Sequence, residues 1–260
     1  MTGRAVETLR AVPWVAAEDT RHTGPLLKHL GVEARLLPAH QHNEHEAATK
    51  IIERLVAGES VALVSDAGTP GISDPGARIV ADVRAAGFRI IPLPGACAAT
   101  VALSAAGLDD PHFLFYGFLP AKAAQRQKAI AALDAIPAAL VFYEAPHRIV
   151  ETVRDLAAGL GCGRTLVFGR ELTKLFEQIH SCPLAEAEEW LMADANHQKG
   201  EFVLVVSGAP AVTDDLESTR VLELLLAEGL PVKQAAKLAA AITGAGKNEL
   251  YQKALALKGQ

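Results

Sequence analysis

The chain has few cysteines, no long apolar run and no surplus of positive charge, and each shortage narrows what it can be. Cys97, Cys162 and Cys182 are its only thiols, and none stands in a C-x-x-C pair. An odd, scattered set supports neither a disulfide framework nor a zinc site, so no metal is expected. No apolar stretch approaches the roughly 20 residues that cross a bilayer, so no membrane role is expected either. Nor does a charged-then-apolar leader open the sequence, which makes a cytoplasmic location the expectation. The formal net charge is −5, so nothing draws the chain as a whole toward nucleic acid. Neither G-x-x-x-x-G-K-[ST] nor a helix-opening G-x-G-x-x-G occurs, which disfavours ATP and NAD as ligands.

What is present is an alternation of short apolar runs and helical patterns. With 260 residues, half of them hydrophobic, one to two domains with substantial cores are expected. Val6–Val12 reads as a helix, Trp14–Ala17 as a short strand and Gly24–Leu30 as a helix closed by Gly31. Arg35–Pro38 is extended, and His45–Ala57 is an amphipathic helix ending at Gly58. Val61–Val64 reads as a strand, Ala77–Ala86 as a helix and Arg89–Leu93 as a further strand. Alternation of this kind up to about Leu108 implies a mostly parallel sheet. Beyond Asp109-Asp110-Pro111 the strands Phe113–Tyr116, Ala139–Tyr143, Thr165–Arg170 and Phe202–Ser207 stand among the helices Ala123–Leu133, Arg148–Leu160 and Glu186–Met192. More strands per helix predict a mixed sheet there. After Pro210, Leu216–Ala227 is followed by Val232–Ile242 and Lys247–Leu257, joined through Thr243-Gly244-Ala245-Gly246 in a helix-turn-helix pattern. The predicted organisation is therefore an N-terminal α/β domain over 1–110, a second α/β domain over 111–210 and a helical extension over 211–260.

The polar chemistry collects after the predicted strands. Val61–Val64 runs into Ser65-Asp66-Ala67-Gly68-Thr69-Pro70-Gly71, and Arg89–Leu93 into Pro94-Gly95-Ala96-Cys97-Ala98. Such residues suit ordinary turns, but two small-residue loops at successive strand ends suggest a cofactor lying against bare backbone. Glu18-Asp19-Thr20-Arg21-His22 follows Trp14–Ala17 and serves equally as a solvated loop, with Thr23 capping the next helix, or as a functional strand end. His40-Gln41-His42-Asn43-Glu44-His45 has metal-site residue types without metal-site pairing, and a polar loop facing substrate is the better reading. Tyr143–Arg148 and Arg170–Lys174 also follow strands, and Arg148, Arg170 and Lys174 could meet RNA phosphate. Lys122, Arg126 and Lys128 form one basic cluster; Lys233, Lys237, Lys247, Lys253 and Lys258 form another against the single acid Glu249.

Ala17–Thr23, Ser65–Pro75, Pro92–Ala98 and Tyr143–Arg148 resemble the tetrapyrrole methylase family. Gly117–Lys122, Arg170–Lys174 and Lys199–Glu201 are similar to its small-subunit ribosomal RNA methyltransferase branch. The resemblance implies a two-domain tetrapyrrole-methylase-like α/β fold plus a C-terminal helix-turn-helix, with S-adenosyl-L-methionine as cofactor in the cleft between the domains. It implies 2′-O-methylation of a cytidine ribose in the decoding region of 16S ribosomal RNA, with the 30S subunit as partner, and a homodimer. The implied cofactor contacts are Asp66, Ala67, Gly68, Thr69, Pro70, Ile72, Pro94, Gly95, Cys97, Ala98, Tyr143, Glu144 and Leu172. Glu18, Asp19, Arg21, His147 and Glu171 are the candidates for the chemistry. RNA contacts are expected from Lys122, Arg126, Arg148, Lys174, Lys233, Lys237, Lys247 and Lys253. Family members begin with a strand and a Pro-Ile-Gly-Asn loop, whereas Met1-Thr2-Gly3-Arg4 opens almost directly on a helix. The N-terminal sheet should therefore keep an unpaired edge. Two other functions fit the same residues: a methylase of corrinoid or porphyrinoid small molecules, and a non-catalytic RNA-binding protein.

Overall fold

A computed structural model describes the chain apart from residues 162, 210–213 and 259–260. Cys162 and the expected boundary at 210/211 lie outside the described residues. Two compact units are distinguished, Met1–Ala105 with Leu172–Lys174, and Ala106–Glu171 with Leu175–Gln260.

The first unit runs α1 (Gly3–Ala11), β1 (Trp14–Ala17), α2 (Thr20–His29), β2 (Arg35–Pro38), α3 (Glu44–Val56), β3 (Val61–Val64), α4 (Ala77–Ala85) and α5 (Ala98–Ala106). Its sheet is parallel in the order β2-β1-β3. The central strand β1 is buried along its whole length, as a strand covered on both faces must be. Side chains alternate across it. Val15 packs with Leu9, Val12, Leu27 and Val32, while Ala16 packs with Ala47, Ala48, Ile51, Ile79 and Val83. Register does the functional work: Ala17 stands opposite both Pro38 and Val64. All three strands thus end level, and the segments that leave them start from one edge of the sheet.

Arg89–Leu93 is not a strand; residues 88–97 form no regular element. A strand exists only as part of a hydrogen-bonded ladder, and among the described residues β3 pairs with β1 alone. Its other edge is unpaired, and β3 is only half-buried where β1 is buried. α2 also begins earlier than expected. Asp19, not Thr23, is its N-cap, its side chain accepting from the Arg21 amide. α5, an alanine-rich helix of low amphipathicity, was not expected.

The second unit contains β4 (Phe113–Phe118), α6 (Ala123–Ala131), β5 (Ala139–Glu144), α7 (Ile149–Leu160), β6 (Thr165–Arg170), β7 (Gln178–Pro183), α8 (Ala187–Ala193) and β8 (Phe202–Val206). Its sheet order is β4-β5-β8-β6-β7, with β4–β5 parallel and the other pairs antiparallel, the mixed sheet that was expected. β7 is an unanticipated edge strand whose alternating exposure comes with a largely polar sequence, QIHSCP. Phe142, Phe168, Leu140, Leu156 and Leu204 fill the core. α9 (Asp214–Ala227), α10 (Val232–Thr243) and α11 (Lys247–Lys258) share their own cluster around Leu222, Ala235, Ala236, Ala239, Leu250 and Ala254. Gly244, at φ 78°, closes α10 in the left-handed conformation that glycine adopts freely.

The close approach of α7 to α6 gives a stability test. A Cβ added at Gly159 would lie 2.7 Å from Ile130 Cγ2, and Ile130 is fully buried. Gly159→Ala should therefore cost about 1–3 kcal/mol by overpacking, measured by urea unfolding. Gly159→Ala with Ile130→Val should recover part of that loss.

Candidate functional site

At the carboxyl edge of the first sheet, the loops after β1 and β3 are bonded to each other. The Asp19 amide donates to Asp66 Oδ1 at 3.2 Å, and the Asp66 amide donates to Glu18 Oε2 at 3.2 Å. His22, on the first turn of α2, places Nδ1 3.1 Å from Asp66 Oδ2. Asp19 meanwhile accepts from the Arg21 amide at 2.8 Å and from its guanidinium at 2.6 Å. Those bonds from Arg21 hold the Asp19 carboxyl well below the usual carboxylate range. Asp74 moves the other way: burial raises it, with Glu18 adding to the effect. Ligand-type atoms of Asp19, His22 and Asp66 lie within 4.8 Å of one another. That grouping has donor types found in cation sites, but the Arg21 guanidinium already supplies a positive charge to it.

The two small-residue loops also meet. Thr69 Oγ1 donates to the Ala96 carbonyl at 2.9 Å, tying 66–72 to 94–98. Gly68 (φ 68°) and Gly71 (φ 79°) take backbone conformations that L side chains rarely adopt. A Cβ at Gly95 would sit 3.6 Å from Thr69 Oγ1. Asp66, Ala67, Gly68, Ile72, Pro94, Gly95 and Ala96 are exposed; Thr69, Pro70, Cys97 and Ala98 are half-buried. The result is an open, backbone-rich surface with few side chains above it, which suits a flat, polar small molecule. Of the expected cofactor contacts, the structure thus brings together those in 66–72 and 94–98.

The second-unit candidates are placed differently. Tyr143 is half-buried between Phe115 and Phe118, at ring distances of 4.9 and 5.7 Å. Glu144 is buried and accepts from the Ala145 amide, from Thr152 Oγ1 at 2.6 Å and from Arg148 at 3.4 Å. It therefore faces the protein interior rather than a ligand. Arg148 directs one guanidinium nitrogen, Nη2, to the Leu119 and Pro120 carbonyls and to Glu144. Arg126 is the clearest correction. It is buried, with Asp155 at 2.6 Å and Glu151 at 3.3 Å, and offers nothing to RNA. Its neighbours Lys122 and Lys128 are exposed. His147 is exposed in the turn after β5. Glu171 accepts from the Glu201 amide at 2.9 Å and packs where a side chain on Gly200 would stand. Glu171 (φ 50°) and Thr173 (φ 68°) flank Leu172 in left-handed conformations. Lys174, Lys233, Lys237 and Lys247 are exposed, and Lys253 lies 4.0 Å from Glu249.

His22 is the residue that sequence reasoning passed over as a separate group. Its signal was the three-residue spacing from Asp19, which places both on one helix face once α2 starts at Thr20.

Residues 1–188 match the family described as Tetrapyrrole (Corrin/Porphyrin) Methylases, and residues 212–258 match the RsmI C-terminal HTH domain. The chain is 51% identical to a protein of Escherichia coli O157:H7 named Ribosomal RNA small subunit methyltransferase I, over 100% of this chain and 91% of that protein. A protein of the same name from Pseudomonas aeruginosa is 52% identical, over 99% and 92% of the two chains. Among solved structures, the methyltransferase CobJ superposes with a TM-score of 0.60 at 20% identity, covering 80% of this chain and 88% of that one. Uroporphyrin-III C-methyl transferase from Thermus thermophilus, complexed with S-adenyl homocysteine, superposes with a TM-score of 0.54 at 15% identity, over 80% and 90%. These two likenesses bear on the fold.

The buried placement of Arg126 is open to a direct test. Arg126→Ala leaves Asp155 with Gln127 and no cation, and should cost about 3–5 kcal/mol, whereas Lys122→Ala should leave the urea midpoint unchanged. Equal, negligible effects would return Arg126 to the surface.

Proposed function

The chain belongs to the tetrapyrrole methylase family, and on that premise we propose that it methylates small-subunit ribosomal RNA, using S-adenosyl-L-methionine, at the ribose 2′-oxygen of a cytidine in the decoding region. The observation that carries the reading is that the likeness to proteins named for ribosomal RNA methylation spans the whole chain. It includes the C-terminal helices as well as the methylase portion. Exposed Lys233 and Lys237, one helical turn apart on α10, supply charge for a phosphate backbone despite the acidic whole. The substrate in this reading is the 30S subunit, the working form a homodimer and the location the cytoplasm.

The residues present suit the cofactor. The loops 66–72 and 94–98 would hold it through backbone groups, and Thr69 keeps the two loops together. When bound, it supplies an electrophilic methyl group on a sulfonium. The chain's own task is then alignment, because an in-line displacement rewards fixed geometry above all. Small, mostly uncharged walls suit a centre that loses its charge as the methyl leaves. Both oxygens of Asp19 accept from Arg21, so neither is offered to a substrate hydroxyl. Asp19 and Arg21 serve instead to fix the start of α2.

A methylase acting on corrinoid or porphyrinoid small molecules would have no use for a lysine-bearing helix-turn-helix. A non-catalytic RNA-binding protein would have no use for paired backbone-rich loops.

Incubation of the full chain with labelled S-adenosyl-L-methionine and 30S subunits lacking the modification should put label on a cytidine 2′-oxygen. No label on RNA, with label on a porphyrinoid acceptor, would overturn the substrate. Thr69→Val should weaken binding of S-adenosyl-L-methionine by about five- to ten-fold, the worth of one hydrogen bond of ~1 kcal/mol, read by calorimetry.

A further inference from the structure

The bonding around Asp66 does more than join two loops. A carboxylate only accepts hydrogen bonds, so the nitrogen of His22 that faces Asp66 Oδ2 at 3.1 Å must carry the proton. In the neutral ring this places the proton on Nδ1 and leaves the Nε2 lone pair open. The His22 side chain is 71% exposed, so Nε2 is not blocked by the fold. Asp66 is itself held at both ends. Its second oxygen takes the Asp19 amide, and its own amide is fixed by Glu18. An oriented imidazole, backed by a fixed carboxylate, is the arrangement by which a histidine serves as a general base. A shallow hollow lined by Met1, Leu26, Val64, Ser65 and Asp66 lies against the same ring. The site therefore has room beside the imidazole and lies on the same loop that offers backbone to the cofactor.

We propose that His22 is the general base for the methyl transfer and that Asp66 is its positioning residue. The inference rests on the reading of the chain as a ribose 2′-O-methyltransferase. His22 Nε2 takes the proton of the 2′-hydroxyl while the ribose oxygen bonds to the methyl carbon. The bond from that carbon to sulfur breaks, and its electron pair stays on sulfur, which becomes a neutral thioether. Asp66 stabilises the imidazolium that results. The charged groups facing the ring are Asp66 and Asp19, the latter at 4.0 Å, with Arg21 on Asp19 and Glu18 on the Asp66 amide. Asp74 stands near enough to Glu18 and Asp66 for their charges to raise it.

The test uses the full chain and 30S subunits lacking the modification. His22→Gln should lower the single-turnover rate by about a hundred-fold or more, the range of a lost general base, with S-adenosyl-L-methionine affinity within about two-fold by calorimetry. Imidazole added to His22→Ala should restore part of the rate. Independently of turnover, nitrogen-15 spectra of the His22 ring should report the Nδ1-protonated tautomer, and Asp66→Asn should shift it. A His22→Gln rate within about three-fold of the parent, or an Nε2-protonated ring unmoved by Asp66→Asn, would overturn the assignment and leave the methyltransferase reading standing. A parent chain that methylates no RNA would overturn both together.

Discussion

Asp66 is the contact on which the candidate site depends. It follows β3 by two residues, where the parallel register brings that strand level with the end of β1. From there its two oxygens reach the Asp19 amide and the His22 ring, and its amide is held by Glu18. The loop that would hold the cofactor and the loop that carries the polar groups are thereby one assembly. Each bond is exposed and individually modest. Their value is geometric, because a displacement reaction is sensitive to small errors in placement.

The rest of the first unit supports that assembly. The buried strand β1 sets the height of the sheet edge, and helices on both faces hold it. Thr69 then brings 94–98 beside 66–72 without a strand to carry it there. Non-glycine residues in left-handed conformations occur at Ser73, Glu171 and Thr173. Such strain persists where the surroundings over-determine it, and it concentrates near functional loops. At Glu171 the over-determination is visible: its carboxylate is held by the Glu201 amide and its side chain fills the space above Gly200.

Much of this could be read from the sequence, and the failures have common causes. Trp14–Ala17, Arg35–Pro38, Val61–Val64 and Thr165–Arg170 form strands with the expected bounds, because short apolar runs between turn residues have few alternatives. Arg89–Leu93 has the same look but no partner strand, and pairing is not a local property. β7 was missed because an edge strand carries polar residues, and α5 because an alanine-rich stretch has weak amphipathicity. The loops 66–72 and 94–98 were legible from their composition. The fates of Arg126, Glu144 and Arg148 were not, since a charged residue buried against a partner far along the chain looks like any surface charge in sequence. His22 was hidden by a helix start placed at Gly24 instead of Thr20.

Placement of the methyl donor on the backbone-rich loops of the first unit underlies the whole reading of the site. It is tested most directly by following the chain's amide resonances while S-adenosylhomocysteine, the demethylated product, is added. Saturable shifts are expected in 66–72 and 94–98, with smaller ones at Glu18–His22 relayed through Asp66. Saturable shifts confined to other segments, or none at any concentration, would contradict it.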